Sequence, residues 1–207
     1  MPPIVTPFTH DDYEILNRDV PYQGKYRIAR YELRIRLFNG EMSTSMMREA
    51  MERSSSVAIL PYDPISDRVV LIEQFRIGAL ANPQSPWILE AVAGVIDLDE
   101  SPKEVAKREA NEEAGCDILD LYPICEYFVS PGGCNEYLYL FCGRIGGHSM
   151  DGVYGLAHEH EDIRAFSISS DEAYQLVQQG RIKTSPAIIS LQWLQLNREW
   201  LKQLWQK

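Results

Sequence analysis

The sequence predicts an α+β fold, with strands dominating its first half and helices its second. Three observations carry this expectation. Residues 26–38 alternate apolar Tyr31, Leu33, Ile35 and Leu37 with charged Glu32, Arg34 and Arg36, the two-residue period of a half-buried strand. Ser101-Pro102-Lys103-Glu104 and Ser169-Ser170-Asp171-Glu172 are capping boxes, each marking the start of a helix. Beyond Ser185-Pro186, apolar Ile189, Trp193, Leu196, Trp200 and Leu204 recur at helical spacing and predict a final helix carrying them on one stripe. Periodicity alone supports no more than α and β elements in one compact chain. At 207 residues and 45% hydrophobic, the chain is long enough to bury a core as one large domain or a main domain with a small appendage.

Taken in order, the strand at residues 26–38 ends at Asn39-Gly40, a hairpin-turn dipeptide, and a second strand follows at about residues 41–51. Together with the first 25 residues this antiparallel unit is too small to hold a core alone, so residues 1–52 must pack on the rest of the chain or on another subunit. Residues 53–207 form the main domain. Within it, residues 57–60 and 68–73 are short apolar strands joined by a PYDPISD loop, and residues 87–93 form a strand leading into Gly94. Pro102 at the first helical position starts a helix that Gly115 stops. Residues 122–129 and 136–144 are strands flanking Ser130-Pro131-Gly132-Gly133, and a Gly-rich stretch, residues 146–155, precedes the acidic run His158-Glu159-His160-Glu161-Asp162. Residues 163–168 form the last strand.

The helix between Ser101 and Gly115 carries the chemistry. Glu109, Glu112 and Glu113 lie at i, i+3 and i+4, so three carboxylates share one face. Like charges so placed destabilise a bare helix by a few tenths of a kcal/mol per pair, roughly, and a cation offsets this. Clustered carboxylates are hard oxygen ligands suited to Mg2+ or Mn2+. Arg108 is placed to orient them through charge-assisted hydrogen bonds. An isolated E-x-x-E-E is more often a solvated acidic face; here, however, Gly94, Glu100, Arg108, Glu109, Glu112, Glu113 and Gly115 stand together in the pattern G-x5-E-x7-R-E-U-x-E-E-x-G-U.

Composition narrows the function classes. The net charge of −10 leaves no basic stripe to neutralise phosphates and argues against nucleic acid as the main partner. MPPIVTPFTH has neither a basic nor an apolar targeting segment, and no stretch reaches the length of a membrane span. The expectation is therefore a cytoplasmic protein without a membrane partner. Cys116, Cys125, Cys134 and Cys142 form no CxxC pair and are expected as unpaired thiols, in the core or semi-buried. His158 and His160, two residues apart without further ligands, do not make a zinc site.

The seven-position pattern resembles the Nudix box. Pro131, about fifteen residues beyond it, together with LFNGEMS, VVLIEQFRIGA, AHEHEDIR and ISLQWLQL, makes nearly all of the chain similar to the bacterial ADP-ribose pyrophosphatase family. That resemblance implies a Nudix-type αβα sandwich with a mixed β-sheet. It also implies Mg2+-dependent hydrolysis of the diphosphate of ADP-ribose to AMP and ribose 5-phosphate, with two or three Mg2+ ions per site (Mn2+ possible). Glu109, Glu113, Glu161 and the Ala93 carbonyl match the metal ligands. Glu112 matches an additional ligand or supporting catalytic group, and Glu159 the general base on a mobile loop; the bland reading of Glu159 and Glu161 is a solvated loop. Gly94, Glu100, Arg108, Gly115 and Pro131 match structural positions of the motifs. Lys25 and Tyr26 match the adenine site, supplied across a homodimer with exchanged N-terminal units. Arg48, Arg53 and Arg76 match groups on the diphosphate and terminal ribose, Glu49, Glu136 and the Val95 backbone match positions near the ribose, and Ser130 matches a substrate-binding position; each arginine is equally readable as a surface cation. Met46-Met47 departs from the more polar run of the family. The alternatives are hydrolysis of another nucleoside diphosphate sugar and a non-catalytic ADP-ribose-sensing module; the intact box and absence of a basic domain count against the second.

Overall fold

The computed structural model describes residues 7–97, 99–147 and 151–205. The described residues form two compact units, one of those up to Arg53 with Phe128–Glu136, the other of those within 54–127 and 137–205.

The first unit is a three-stranded antiparallel sheet of β1 (Tyr13–Gln23), β2 (Arg27–Ile35) and β3 (Met46–Glu52), in that order. β1 was hidden in the sequence because register shifts at Ile15/Asn17 and Asp19/Tyr22 break its alternation. The Asn39-Gly40 turn is present, but β3 begins later than the expected residue 41, because only an isolated Arg36–Met42 bridge forms near the turn. Ala29 is the sole core residue of this sheet among those described. Cross-strand pairs Arg30–Asp19, Arg34–Glu14 and Arg18–Glu52 line it instead, and exposed pairs of this kind contribute only about 0–1 kcal/mol each. The 128–136 segment is tied to β3 by backbone bonds from Met51 N–H to the Gly133 carbonyl and from Asn135 N–H to the Met51 carbonyl.

The second unit comprises β4 (Ser56–Asp63), β5 (Arg68–Phe75), β6 (Trp87–Glu90), β7 (Val92–Val95), α1 (Pro102–Ala114), β8 (Asp120–Phe128), β9 (Tyr137–Arg144), β10 (Gly152–Tyr154), β11 (Ile163–Ser169), α2 (Ser170–Gln178) and α3 (Ser185–Trp205). The sheet order is β10-β11-β5-β4-β9-β8, with β6 paired to β5 and β7 to β4. β4 runs parallel to β9 and antiparallel to β5 and β7, so the sheet is mixed. The expected single strand at 87–93 is two, divided at Ala91, because its halves pair with different neighbours. β10 lies within the stretch read as Gly-rich loop; residues 148–150 of that stretch lie outside the described residues.

Helices cover both faces of this sheet. Val57, Ile59, Val70, Ile72 and Val92 pack with Val105, Ala106, Ala110 and Ala114 of α1. On the other face Leu60, Tyr62, Val69 and Leu71 pack with Ala173 of α2 and Leu191, Leu194, Leu201 and Trp205 of α3. Strands buried on both faces read as continuous apolar runs, which is why β4 and β5 were visible without alternation. The result is the expected αβα sandwich. On α3 the buried face is Ala187-Ser190-Leu191-Leu194-Leu201-Trp205, while Leu196 is 85% exposed and Trp200 and Leu204 are also exposed. Two apolar stripes run along this helix, and the sequence stripe at 189–204 is the outer one, where Trp193 and Trp200 flank Tyr122. Cys125 is exposed, against the expectation of a semi-buried thiol, because it lies on β8 at the sheet edge. No described helix is long and apolar enough to cross a membrane.

Candidate active site

α1 begins as predicted: the Ser101 hydroxyl accepts from Glu104 N–H while the Glu104 carboxylate accepts from Ser101 N–H, with Pro102 in the first turn. It ends at Gly115, whose φ of 61° closes the helix in the left-handed region that favours glycine. The helix thus has defined ends and a defined rotation. Val105, Ala106, Ala110 and Ala114 face the core, and this rotation draws Glu113 in with them.

Glu113 is 3% exposed, and one carboxylate oxygen accepts the Ala93 N–H at 3.0 Å. Burial pushes its carboxyl up to about 8; the Ala93 N–H and Arg76 oppose the shift, while Glu109 and Glu161 add to it. Glu109, half-buried, is pushed up to about 7, by burial first; Arg108 opposes this and Glu112 and Glu161 add to it. These mutual effects place Glu109, Glu113 and Glu161 in one negative field. Gly94 makes the approach possible, since a Cβ there would lie 1.9 Å from Glu109 Oε1.

Arg108 organises the rim. Its Nε and Nη2 donate to the two Glu100 oxygens at 3.0 Å each, and its Nη1 donates to Glu109 and Glu112 at 2.9 Å each. Such forked, charge-assisted bonds set geometry as well as energy. From the far side Gly155 N–H donates to the Glu112 carbonyl at 3.2 Å, and Leu156 N–H to Glu161 Oε2 at 3.1 Å, bringing the 155–161 loop to the helix. Glu159 ends a short 3-10 turn on this loop and is exposed, 3.6 Å from His158 Nε2. Val95, at the end of β7, is exposed.

Each of the three carboxylates bonds its own donor, and among the described residues no three His, Cys, Asp or Glu side chains stand in ligating geometry. The donor set still fits a hard divalent cation. Burial and neighbouring carboxylates raise the proton affinity of Glu109 and Glu113, and a cation relieves that repulsion where protons otherwise do.

A family model described as the NUDIX domain matches residues 52–191. The chain belongs to the Nudix family. Among its relatives, the ADP-ribose pyrophosphatase of Escherichia coli K12 is 43% identical over 198 residues, covering 96% of this chain and 95% of the relative. The ADP-ribose pyrophosphatase of Haemophilus influenzae is 39% identical over 203 residues, covering 97% and 94%. A crystal structure of an ADP compounds hydrolase superposes with a TM-score of 0.68 at 20% identity, covering 95% of this chain and 97% of that one; at that identity it speaks for the fold alone. This chain is a Nudix diphosphatase, of a family whose members are metal-dependent hydrolases.

In this Nudix chain the first unit gathers a second group of expected residues. Arg53 lies over the Tyr26 ring, 5.2 Å from its centroid, and its Nη1 donates to Glu136 at 2.9 Å. Arg53 N–H donates to the Asn135 side chain, and the Ser130 carbonyl accepts from Gly133 and Cys134 N–H beside Pro131. Arg48 and Glu49, successive on β3, point to opposite faces, so the sheet does not bring them together; Arg48 donates to the Met47 carbonyl. Lys25 is exposed in the turn between β1 and β2. A pair that sequence reasoning missed is Arg76–Glu90, with Nε donating to Oε2 at 2.7 Å. Its signal was a glutamate inside an otherwise apolar strand, a residue type seldom buried unless paired.

Proposed function

We propose that this chain hydrolyses the diphosphate bond of ADP-ribose, giving AMP and ribose 5-phosphate. The observation that carries the proposal is the carboxylate face of α1, where Glu113 is buried, Gly94 lies against Glu109 and Arg108 ties Glu109 to Glu112, an arrangement that a cation stabilises. The choice of ADP-ribose is supported by the two ADP-ribose pyrophosphatases that match nearly end to end.

Glu109, Glu113 and Glu161 with the Ala93 carbonyl are the groups to hold Mg2+ or Mn2+, two or three ions in all. Bound there, the metal neutralises diphosphate oxygens and makes a water more acidic. Arg108 holds Glu109 and Glu112 in place, and Arg76 presents its guanidinium to the diphosphate. Glu159 accepts the proton of the attacking water as the P–O bond to the leaving phosphate breaks. Arg48, Arg53, Glu49, Val95, Ser130 and Glu136 line the ribose and phosphate contacts, and Tyr26 with Lys25 takes the adenine. General-base catalysis contributes about 10²–10⁴-fold, so Glu159→Gln is expected to lower kcat by that order while metal affinity stays within about twofold. An unchanged kcat, read in steady-state assays, points to Glu161 or to an attack that needs no side-chain base.

The proposal includes a homodimer with exchanged N-terminal units. The first unit has a single core residue among those described and exposes Tyr13, Ile15, Leu16, Tyr22 and Met47, a surface that calls for cover. Sedimentation is expected to show a dimer, and a chain lacking residues 1–50 to be unstable or inactive; an active, well-behaved monomer would contradict this. A cytoplasmic site of action, where free thiols stay reduced, and the absence of nucleic-acid and membrane partners belong to the same reading.

The direct test offers ADP-ribose, ADP-glucose, NADH and diadenosine polyphosphates side by side, each with Mg2+ and with chelator, and identifies the phosphate products. Metal-dependent AMP release mainly from ADP-ribose is the expected result. Preference for another sugar nucleotide would change the substrate, and tight binding without turnover would make the chain a sensor.

A further inference from the structure

Arg76 is held by an arrangement that the carboxylate face of α1 does not explain. It follows β5 immediately, and its N–H donates to the Pro86 carbonyl at 2.9 Å, closing the 76–86 loop. The same loop is pinned further out by Lys183, whose Nζ donates to Asn82 and Gln84 at 2.9 and 2.7 Å. Among the described residues the side chain is gripped at one nitrogen, where Nε donates to Glu90 at 2.7 Å. Among the described residues this is the only ion pair of Arg76, so both terminal nitrogens keep their N–H groups for another acceptor. Arg76 also acts on Glu113 of the carboxylate face.

Glu90 is placed for this task by the sheet. In the β5–β6 register it stands opposite Ile72, with Gln74 two residues along on the same face, the face that α1 covers. Its side chain is mostly buried, and burial raises its carboxyl above the ordinary range while Arg76 draws it back. Gln74 is buried against the same carboxylate, and its Nε2 makes no hydrogen bond of good geometry. A buried carboxylate whose one charged partner is a half-exposed arginine is costly for stability, and it is poorly explained as a stabilising pair.

We propose that Glu90 is a positioning residue that locks the Arg76 guanidinium by its Nε edge, so that the terminal nitrogens form a fixed fork for the diphosphate. A guanidinium gripped at Nε keeps a planar two-nitrogen edge that matches phosphate oxygens, and holding it in place before substrate arrives reduces the ordering cost of binding. The assignment rests on the diphosphatase reading of the site.

The test is a double-mutant cycle of Glu90→Gln and Arg76→Ala. ADP-ribose affinity is read by calorimetry with chelator present, and kcat and KM are read with Mg2+. Each single substitution is expected to weaken binding roughly tenfold and to act mainly on KM, and the pair to weaken it no more than Arg76→Ala alone. Glu90→Asp, which keeps the charge, is expected to recover part of the loss, and the melting temperature of Glu90→Gln to equal or exceed that of the wild type. Additive losses, or a Glu90→Gln enzyme that binds and turns over like the wild type, would overturn the positioning role while leaving the diphosphatase reading intact. A wild-type protein that neither binds nor hydrolyses ADP-ribose would overturn both.

Discussion

Glu113→Gln is expected to lower metal-dependent kcat on the order of 10³-fold or more, the loss of about 4 kcal/mol of transition-state stabilisation, while the fold survives. The amide oxygen of glutamine can still accept the Ala93 N–H that Glu113 accepts now, and the volume is unchanged. What disappears is the negative charge on the most buried member of the cluster. Stability gives a second readout with a definite sign. A carboxyl whose folded-state value lies above its unfolded value binds more protons when folded, so it lowers stability as pH rises between the two. With Glu113 near 8 and Glu109 near 7, the metal-free wild type is expected to gain stability as pH falls from above 8 toward the unfolded glutamate range. Glu113→Gln removes that residue's share, so the metal-free variant is expected to melt at least about 2 °C above the metal-free wild type at pH 8 and to converge with it in acid. Thermal melts with chelator across pH check this; near wild-type turnover in the variant would sink the metal assignment.

Gly94→Ala is expected to be nearly as damaging by a different route. The added Cβ would fall 1.9 Å from Glu109 Oε1 and 2.1 Å from its Cδ, closer than real atoms approach, so the Glu109 side chain must swing away. A catalytic group displaced by about 1 Å costs on the order of 10²-fold in rate, while stability is expected to change little, because the clash is with one flexible side chain and not with backbone. Gly146→Ala is the matched control: its Cβ would meet nothing closer than Leu119 at 3.7 Å, and activity should be unchanged. Full activity in Gly94→Ala would show that Glu109 is not needed where it stands.

The outcome element by element follows the range of the interactions involved. α1 was legible to its ends because a capping box and a left-handed glycine are decided within a few residues. β4 and β5 were legible as apolar runs, since both of their faces are covered. β1 was not, because two register shifts scramble its alternation, nor was β10, whose three residues lie in glycine-rich chain. On α3 the helix was legible and its buried face was not. Ile189-Trp193-Leu196 and Ala187-Leu191-Leu194 both satisfy helical spacing, and periodicity cannot rank two apolar stripes when the winner is set by fit to the sheet.

The sequence by itself determined the carboxylate helix, its start and stop, and the family chemistry those spacings resemble, because each depends on neighbours within a turn or two. Only the tertiary structure decided that Glu113 sinks while Glu112 stays at the Arg108 rim, that Gly94 lies against Glu109, and that Glu90 grips Arg76. These contacts join residues 14 or more positions apart, or depend on how one helix is rotated against a sheet. Local pattern contains neither kind of information, and close packing supplies both.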